Sequence, residues 1–243
     1  MNIPAADKSG QAYARAHQGG DAVERYLRKL DNRIDVLRDR QEAQILGQWL
    51  RGGVFDCTIG TGRFIGRLPG AASYAGMDLS GEFVAFVKDH YPGTAAEVAD
   101  LTRGIPRPDD AFDSVLCLRS LSAIGGVERV LREMLRVVRP GGIAVVDYGR
   151  RARPGAQVRG EGVPIDSEDF EGALANCGAE VVRRYRVDGL LTRLKARLRI
   201  FRFINGRFGW MVPDWALVLA ERCLAPLAWQ RQIVVLRKRA GGA

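Results

Sequence analysis

The spacing of hydrophobic and polar positions changes period along this chain. Between Asp21 and Leu50, residues Val23, Leu27, Leu30, Ile34 and Leu37 recur at helical spacing, which predicts one or two helices ahead of the main fold. Short apolar runs then alternate with amphipathic stretches. "VFDC", "SYAGMD", "AAEVAD", "FDSVLCL" and "IAVVDY" read as five strands, with "AEVVRRYRV" and "RQIVVLRKR" as a sixth and a seventh. "GRFIGRL" reads as the start of a helix, and "LSGEFVAFVKDHY" as a helix with Ser80 as its N-cap. In "VERVLREMLRVV", Val127, Val130, Leu131, Met134, Leu135 and Val138 form one stripe, and "RPGG" supplies the stop. "DSEDFEGALANCG" reads as a capped helix ending at Gly178, and "PDWALVLAERCLAPL" as a helix from Pro213.

Strands alternating with helices predict an α/β fold: a Rossmann-like, seven-stranded, mostly parallel sheet with helices on both faces. Ligands of such sheets bind beyond the carboxyl ends of the strands. That rule selects Cys57 to Gly62, Asp78–Leu79, Asp100–Leu101, Leu118 to Ser122 and Asp147 to Arg150. In the first of these, "VFDCTIGTGRF", Gly60 and Gly62 let backbone approach a ligand closely. The dinucleotide spacing G-x-G-x-x-G is imperfect, because its third glycine would fall at Ile65. Asp78, ending the second strand, can accept from both hydroxyls of a ribose. Asp100, ending the third, can accept from an adenine amino group while the Leu101 N–H faces a ring nitrogen. Each acid also has a plainer use: Asp56 as the cap of its loop, Asp100 as a helix or turn cap, and Asp78 as a surface acid.

Taken in order, "DCTIGTG", Asp78, Ala99–Asp100, Phe112–Asp113 and "LRVVRPGG" resemble the class I S-adenosylmethionine-dependent methyltransferases of the small-molecule type, over about residues 50–187 and again at the last strand. The resemblance implies an antiparallel last strand, a helical N-terminal lid (1–50) and a methyltransferase core (51–187 and 230–240). Where the family usually has a short link between its last two strands, 188–229 intervenes here and reads as a basic, aromatic-rich insertion over the acceptor side. It implies S-adenosyl-L-methionine as cofactor. Asp56, Cys57, Thr58, Gly60 and Gly62 would wrap its methionine part, Asp78 its ribose, and Leu79, Asp100 and Leu101 its adenine. Leu118 would line the cofactor side, and Arg119, Ser122 and Tyr148 the substrate side. Two departures stand out. Thr58 occupies the first motif glycine, and Ser122–Ala123 replace a His–His pair that relatives often carry. No dedicated base is evident; His17, Asp147 and Tyr148 are the candidates, and each has a structural alternative.

Charge changes the picture only at the C-terminal end. The net charge is +9, and residues 151–243, with 17 basic and 9 acidic groups, supply +8 of it. Between Arg183 and Arg207 nine basic residues face one acid, Asp188, while 188–229 holds three of the four tryptophans. Residues 193–200 fit a helical or a strand period equally. A solvated rim on a pocket-capping layer is the plain reading. Contact of 190–207 with an anionic membrane, or with an acidic small-molecule, lipid-linked or glycan-linked acceptor, is the sharper one. No RNA-binding motif is present, which counts against a nucleic-acid methyltransferase. The four cysteines are too dispersed for a metal pair. With no long apolar run and no apolar signal core, the expected location is cytoplasmic, at most peripheral at the inner membrane surface. Two rivals remain: a nicotinamide-dependent oxidoreductase, and an S-adenosylmethionine-binding or interaction protein that has lost catalysis.

Overall fold

A computed structural model describes residues 21–124, 126–149, 165, 167–188, 213–228 and 231–240. Helices α1 (Ala22–Leu30) and α2 (Arg33–Trp49) precede β1 (Gly52–Asp56), β2 (Ala71–Asp78), α3 (Gly81–His90), β3 (Ala95–Val98) and β4 (Phe112–Cys117). After them come α4 (Leu121–Ile124), α5 (Val127–Val137), β5 (Val138–Gly149), α6 (Ser167–Asn176), β6 (Ala179–Val187), α7 (Asp214–Ala228) and β7 (Arg231–Lys238). The strands form one seven-stranded sheet in the order β3-β2-β1-β4-β5-β7-β6. Six run parallel, and β7 is antiparallel to both β5 and β6. The strand order reverses between β1 and β4, and the carboxyl ends there create a crevice for ligand.

Alternation along the strands sends side chains to two cores. Phe55, Val115, Cys117, Ala144 and Val146 join Leu131 and Met134 of α5 and Phe170 of α6. Val54, Leu116, Val145 and Ile233 pack instead against Leu46 and Leu50 at the end of α2. Full burial of each such side chain contributes about 1.5–3 kcal/mol. The α5 stripe is as its period predicts, with Val130, Leu131, Met134, Leu135 and Val138 all buried. Ser80 caps α3, accepting from the Phe83 N–H at 3.4 Å. In α1, by contrast, Leu27 is exposed and Ala22 is the buried residue.

One expected helix does not form. "GRFIGRL" is a chain of tight turns, with Ile65 N–H donating to the Gly62 carbonyl and Arg67 N–H to that of Phe64. Gly60, Gly62 and Gly66 all take positive φ (54°, 75° and 71°), which a right-handed helix cannot contain. "RPGG" leaves the ladder between the pairs Phe112–Val138 and Ser114–Ile143, as a bulge within β5.

Candidate active site

The β1 turn and the ends of β2, β3 and β4 meet around one cavity of about 420 Å³, lined by Cys57, Thr58, Asp78, Leu79, Asp100 and Leu101 among others. Six of the ten expected cofactor residues therefore share a wall. Ala99, Thr102, Ser120 and Ile124 complete it. Of these, Ala99 and Ser120 lie in stretches that the sequence singles out without a role of their own, and sequence reasoning passed over Thr102 and Ile124.

The loop is built from the inside out. Asp56 is buried at the end of β1. Its carboxylate accepts from the Thr58 N–H at 3.1 Å and from the Tyr74 hydroxyl at 2.8 Å. Burial outweighs both bonds and pushes its carboxyl up to about 6. Asp56 is thus the buried anchor of the turn and lies beneath the cavity. Asp78 holds the next part. Its two oxygens accept from the Gly60 N–H and the Ser80 N–H, each at 2.9 Å, so one carboxylate ties the glycine turn to the start of α3. Asp100 caps its own turn, accepting from the N–H and hydroxyl of Thr102 at 2.9 and 2.7 Å. The capping uses of Asp56 and Asp100 are therefore real, whereas Asp78 is a buried tether and not a surface acid; Asp78 and Asp100 also keep a place in the cavity wall.

The two motif glycines serve different ends. At Gly60 a Cβ would meet nothing nearer than 4.0 Å, so the position needs glycine for its φ and keeps open space above it. At Gly62 a Cβ would come 2.6 Å from Ile65 and 2.9 Å from Tyr91, so here packing makes the demand. The Thr58 hydroxyl is buried with no conventional hydrogen-bond partner. The Cys117 thiol, beside it, is a weak one.

Leu118, expected on the cofactor side, Arg119 and Tyr148, expected on the substrate side, and Asp147, a candidate base, are not among the residues lining this cavity. Leu118 packs beneath α2 in the second core, not in the cavity. Tyr148 is buried and stacks on Phe170, with ring centroids 4.0 Å apart. Its place in the alternation puts it on the α5–α6 face, which gives it a core role. Asp147, one residue earlier, points to the α2 face and is fully engaged. One oxygen accepts from the Arg119 N–H at 2.7 Å and the other from the Arg231 guanidinium. Burial raises its pKa, against the pull of Arg231. It is a link in a network, not a base held ready for substrate. Arg119, at φ 62°, is locked likewise, donating to Glu42 at 2.8 and 3.1 Å and to Asp39 at 2.6 Å. The side chain of Ser122, and His17 altogether, lie outside the described residues, as does 189–212 with its basic run.

That network is the main feature that sequence reasoning missed. Glu42 of α2, 1% exposed, accepts from Arg119 and Arg231 and lies 3.5 Å from Arg63. Arg231 also binds Asp147 and Asp188, and Arg38 forks onto Asp188 at 2.8 and 2.7 Å and reaches Asp35 at 3.0 Å. Burial alone would raise the Glu42 carboxyl, but Arg231, Arg119 and Arg63 together hold it well below the usual carboxylate range. Burial dominates at Asp147, which among the described residues meets only one of these guanidiniums, that of Arg231, so its shift runs the opposite way. Four arginines and five acids thus latch α2 to the ends of β4, β5, β6 and β7. The one legible sign was Asp35, Asp39 and Glu42 at i, i+4, i+7 on a helix face that solvation alone does not require.

The comparisons agree with this geometry. Residues 55–146 match the family "Methyltransferase domain". The chain is 34% identical over 120 residues to a ubiquinone/menaquinone biosynthesis C-methyltransferase of Geobacter sulfurreducens, covering 45% of this chain and 46% of that one. It spans about half the length of the curated relatives it matches. Among solved structures, the [4+2]-cyclase SpnF superposes with a TM-score of 0.60 at 24% identity, over 83% of this chain and 81% of that one. A geranyl diphosphate methyltransferase in complex with S-adenosylmethionine gives 0.60 at 14% identity, over 90% and 91%. The residues fit such a cofactor: an open glycine turn, an orphaned buried hydroxyl at Thr58, and acids at the ends of β2 and β3, around one cavity. Residues 55–146 thus match the methyltransferase-domain family, within a chain that shares the fold of these solved structures.

Proposed function

We propose that the protein transfers a methyl group from S-adenosylmethionine to an O, N or C atom of a small-molecule or lipid-linked acceptor. The observation that carries this is the convergence of Thr58, Asp78 and Asp100, from three separate strand ends, on one cavity. The cofactor supplies an activated methyl on a sulfonium. Asp78 is placed to take the ribose, and Leu79 and Leu101 to flank the adenine. Asp100 is placed to meet the adenine edge, and the Gly60 turn and Thr58 to take the methionine end. With Asp147 bound on both oxygens and Tyr148 stacked in a core, no described residue is offered as a base. The chain's contribution is then positioning and exclusion of water. The matching relatives are methyltransferases, which disfavours the nicotinamide and nucleic-acid readings; one of the same fold is a cyclase, so turnover must be measured.

Thr58 offers a direct probe. A buried hydroxyl lacking a partner costs about 1–3 kcal/mol. Thr58→Val is therefore expected to hold or raise stability in urea while weakening S-adenosylhomocysteine binding by about fivefold, or about 1 kcal/mol. Native affinity in that variant would reject the contact.

The acceptor is amphiphilic on this reading. The quinone and geranyl diphosphate named for the relatives support an apolar body, and the basic excess of 183–207 supports an acidic head or an anionic surface. Among the described residues no helix is long and apolar enough to cross a membrane. The test is release of S-adenosylhomocysteine with a demethylquinone presented in neutral and in anionic vesicles, at low and high salt. Turnover is expected to be faster on anionic vesicles, with the advantage lost in high salt as charge is screened. Equal rates would remove the membrane, and no release with any quinone or lipid acceptor would count against the activity.

A further inference from the structure

A second cavity lies away from the cofactor site, between α2 and α7. It is an open cleft, with about 440 Å³ of free space when the solvent at its mouth is included. Both helices lie outside the matched family segment 55–146, so this cleft is made of parts the family core does not supply. Ile34 and Leu37 of α2 face Leu217 and Val218 of α7 across it. The polar lining is Arg38, Gln41 and Glu221.

Two aliphatic helix faces in water would ordinarily close on each other, since every contact they miss is lost burial and lost dispersion. Here ion pairs fix their spacing. Asp214, the first residue of α7, is held by Arg33 at 2.6 Å and Arg40 at 3.4 Å, both from α2. Arg38 is held by Asp188 and Asp35. The opposite side of α2 is latched by Glu42 to Arg119 and Arg231. The buried pairs of Glu42 and Asp188 hold α2 in place, and the exposed pairs of Asp214 bridge it to the start of α7. The charge of the cleft is also informative. The Arg38 guanidinium is already matched by two carboxylates, so the cleft presents aliphatic surface without an unmatched cation.

We propose that this cleft is a binding site for an uncharged aliphatic group and, resting on the methyltransferase reading above, that it seats the apolar part of the acceptor.

The experiment uses the full chain and 1-octanol as the probe, titrated calorimetrically, with octanoate and S-adenosylhomocysteine run in parallel. Native protein is expected to bind octanol saturably and octanoate several-fold more weakly. Val218→Trp and, separately, Leu37→Trp fill the cleft and are expected to weaken octanol at least tenfold. Both should keep S-adenosylhomocysteine affinity within about twofold, which also certifies their fold. Equal octanol affinity in all three proteins, or no saturable binding to the native chain, overturns the site. Tighter binding of octanoate overturns the ligand class. If octanol behaves as expected while S-adenosylhomocysteine binds none of the proteins, the cleft stands and the methyltransferase reading falls.

Discussion

Glu42→Gln is expected to destabilise the fold by about 3–5 kcal/mol, the usual cost of breaking a buried ion network from one side. Glutamine keeps the shape of the side chain but turns one acceptor oxygen into an amine donor. In the native protein one oxygen takes both Arg119 and Arg231, and the other takes Arg119 with Arg63 nearby. Whichever way the amide sits, it points N–H groups at a guanidinium. Because the site is buried, water cannot repair the mismatch. The control is Arg132→Ala, which breaks an exposed i, i+4 pair with Glu128 and should cost about 0–1 kcal/mol. Urea denaturation of the three proteins decides this, and a loss below about 1 kcal/mol for Glu42→Gln would mean that the latch is not closed in solution.

The second large effect is a dependence on pH, from Asp56. Its folded pKa is raised from 3.8 to about 6 by burial. The folded state therefore binds the proton more tightly than the unfolded chain. Stability from this group is greatest below pH 4 and declines as pH rises to about 6, by about 3 kcal/mol in all. Glu42 works in the opposite sense, since its depressed pKa gives stability that is lost on acidification. The native curve alone mixes the two. The readout is instead the stability of Asp56→Asn minus that of the native protein. Asparagine stands in for the protonated acid and the Tyr74 hydroxyl can turn to accept from it. The difference should grow by about 3 kcal/mol between pH 4 and pH 8. A flat difference would show that Asp56 is better solvated than its burial implies.

The fold was legible because every strand and most helices announce themselves by period. The α5 stripe and the seven apolar runs each appear where their spacing puts them. The helix expected at "GRFIGRL" failed because apolar spacing says nothing about φ, and Gly62 and Gly66 both take left-handed conformations there. The cavity wall was legible for a different reason: it is made of residues that follow strands closely, and sheet topology brings those together. The substrate side was not. Asp147 and Tyr148 are adjacent in sequence, and alternation turns one into an ion network and the other onto Phe170. What Asp147 meets depends on Arg231 and Glu42, which are 84 and 105 positions away, and no local pattern encodes that meeting. Asp78 and Asp100 show the same limit more mildly. Their position was readable, but that each also holds backbone N–H groups was not decidable without coordinates.

Cofactor binding through Asp78 is the point on which the rest depends. The measurement is calorimetric titration of the native protein and Asp78→Ala with S-adenosylhomocysteine and, separately, with NAD. Native protein should bind the adenosyl ligand at about micromolar strength, some 8 kcal/mol, and ignore NAD. Asp78→Ala should lose about 1.5–3 kcal/mol, both for the ribose contact and for the untethered Gly60 turn. Unchanged affinity in Asp78→Ala, or native protein that takes NAD in place of S-adenosylhomocysteine, would contradict the account.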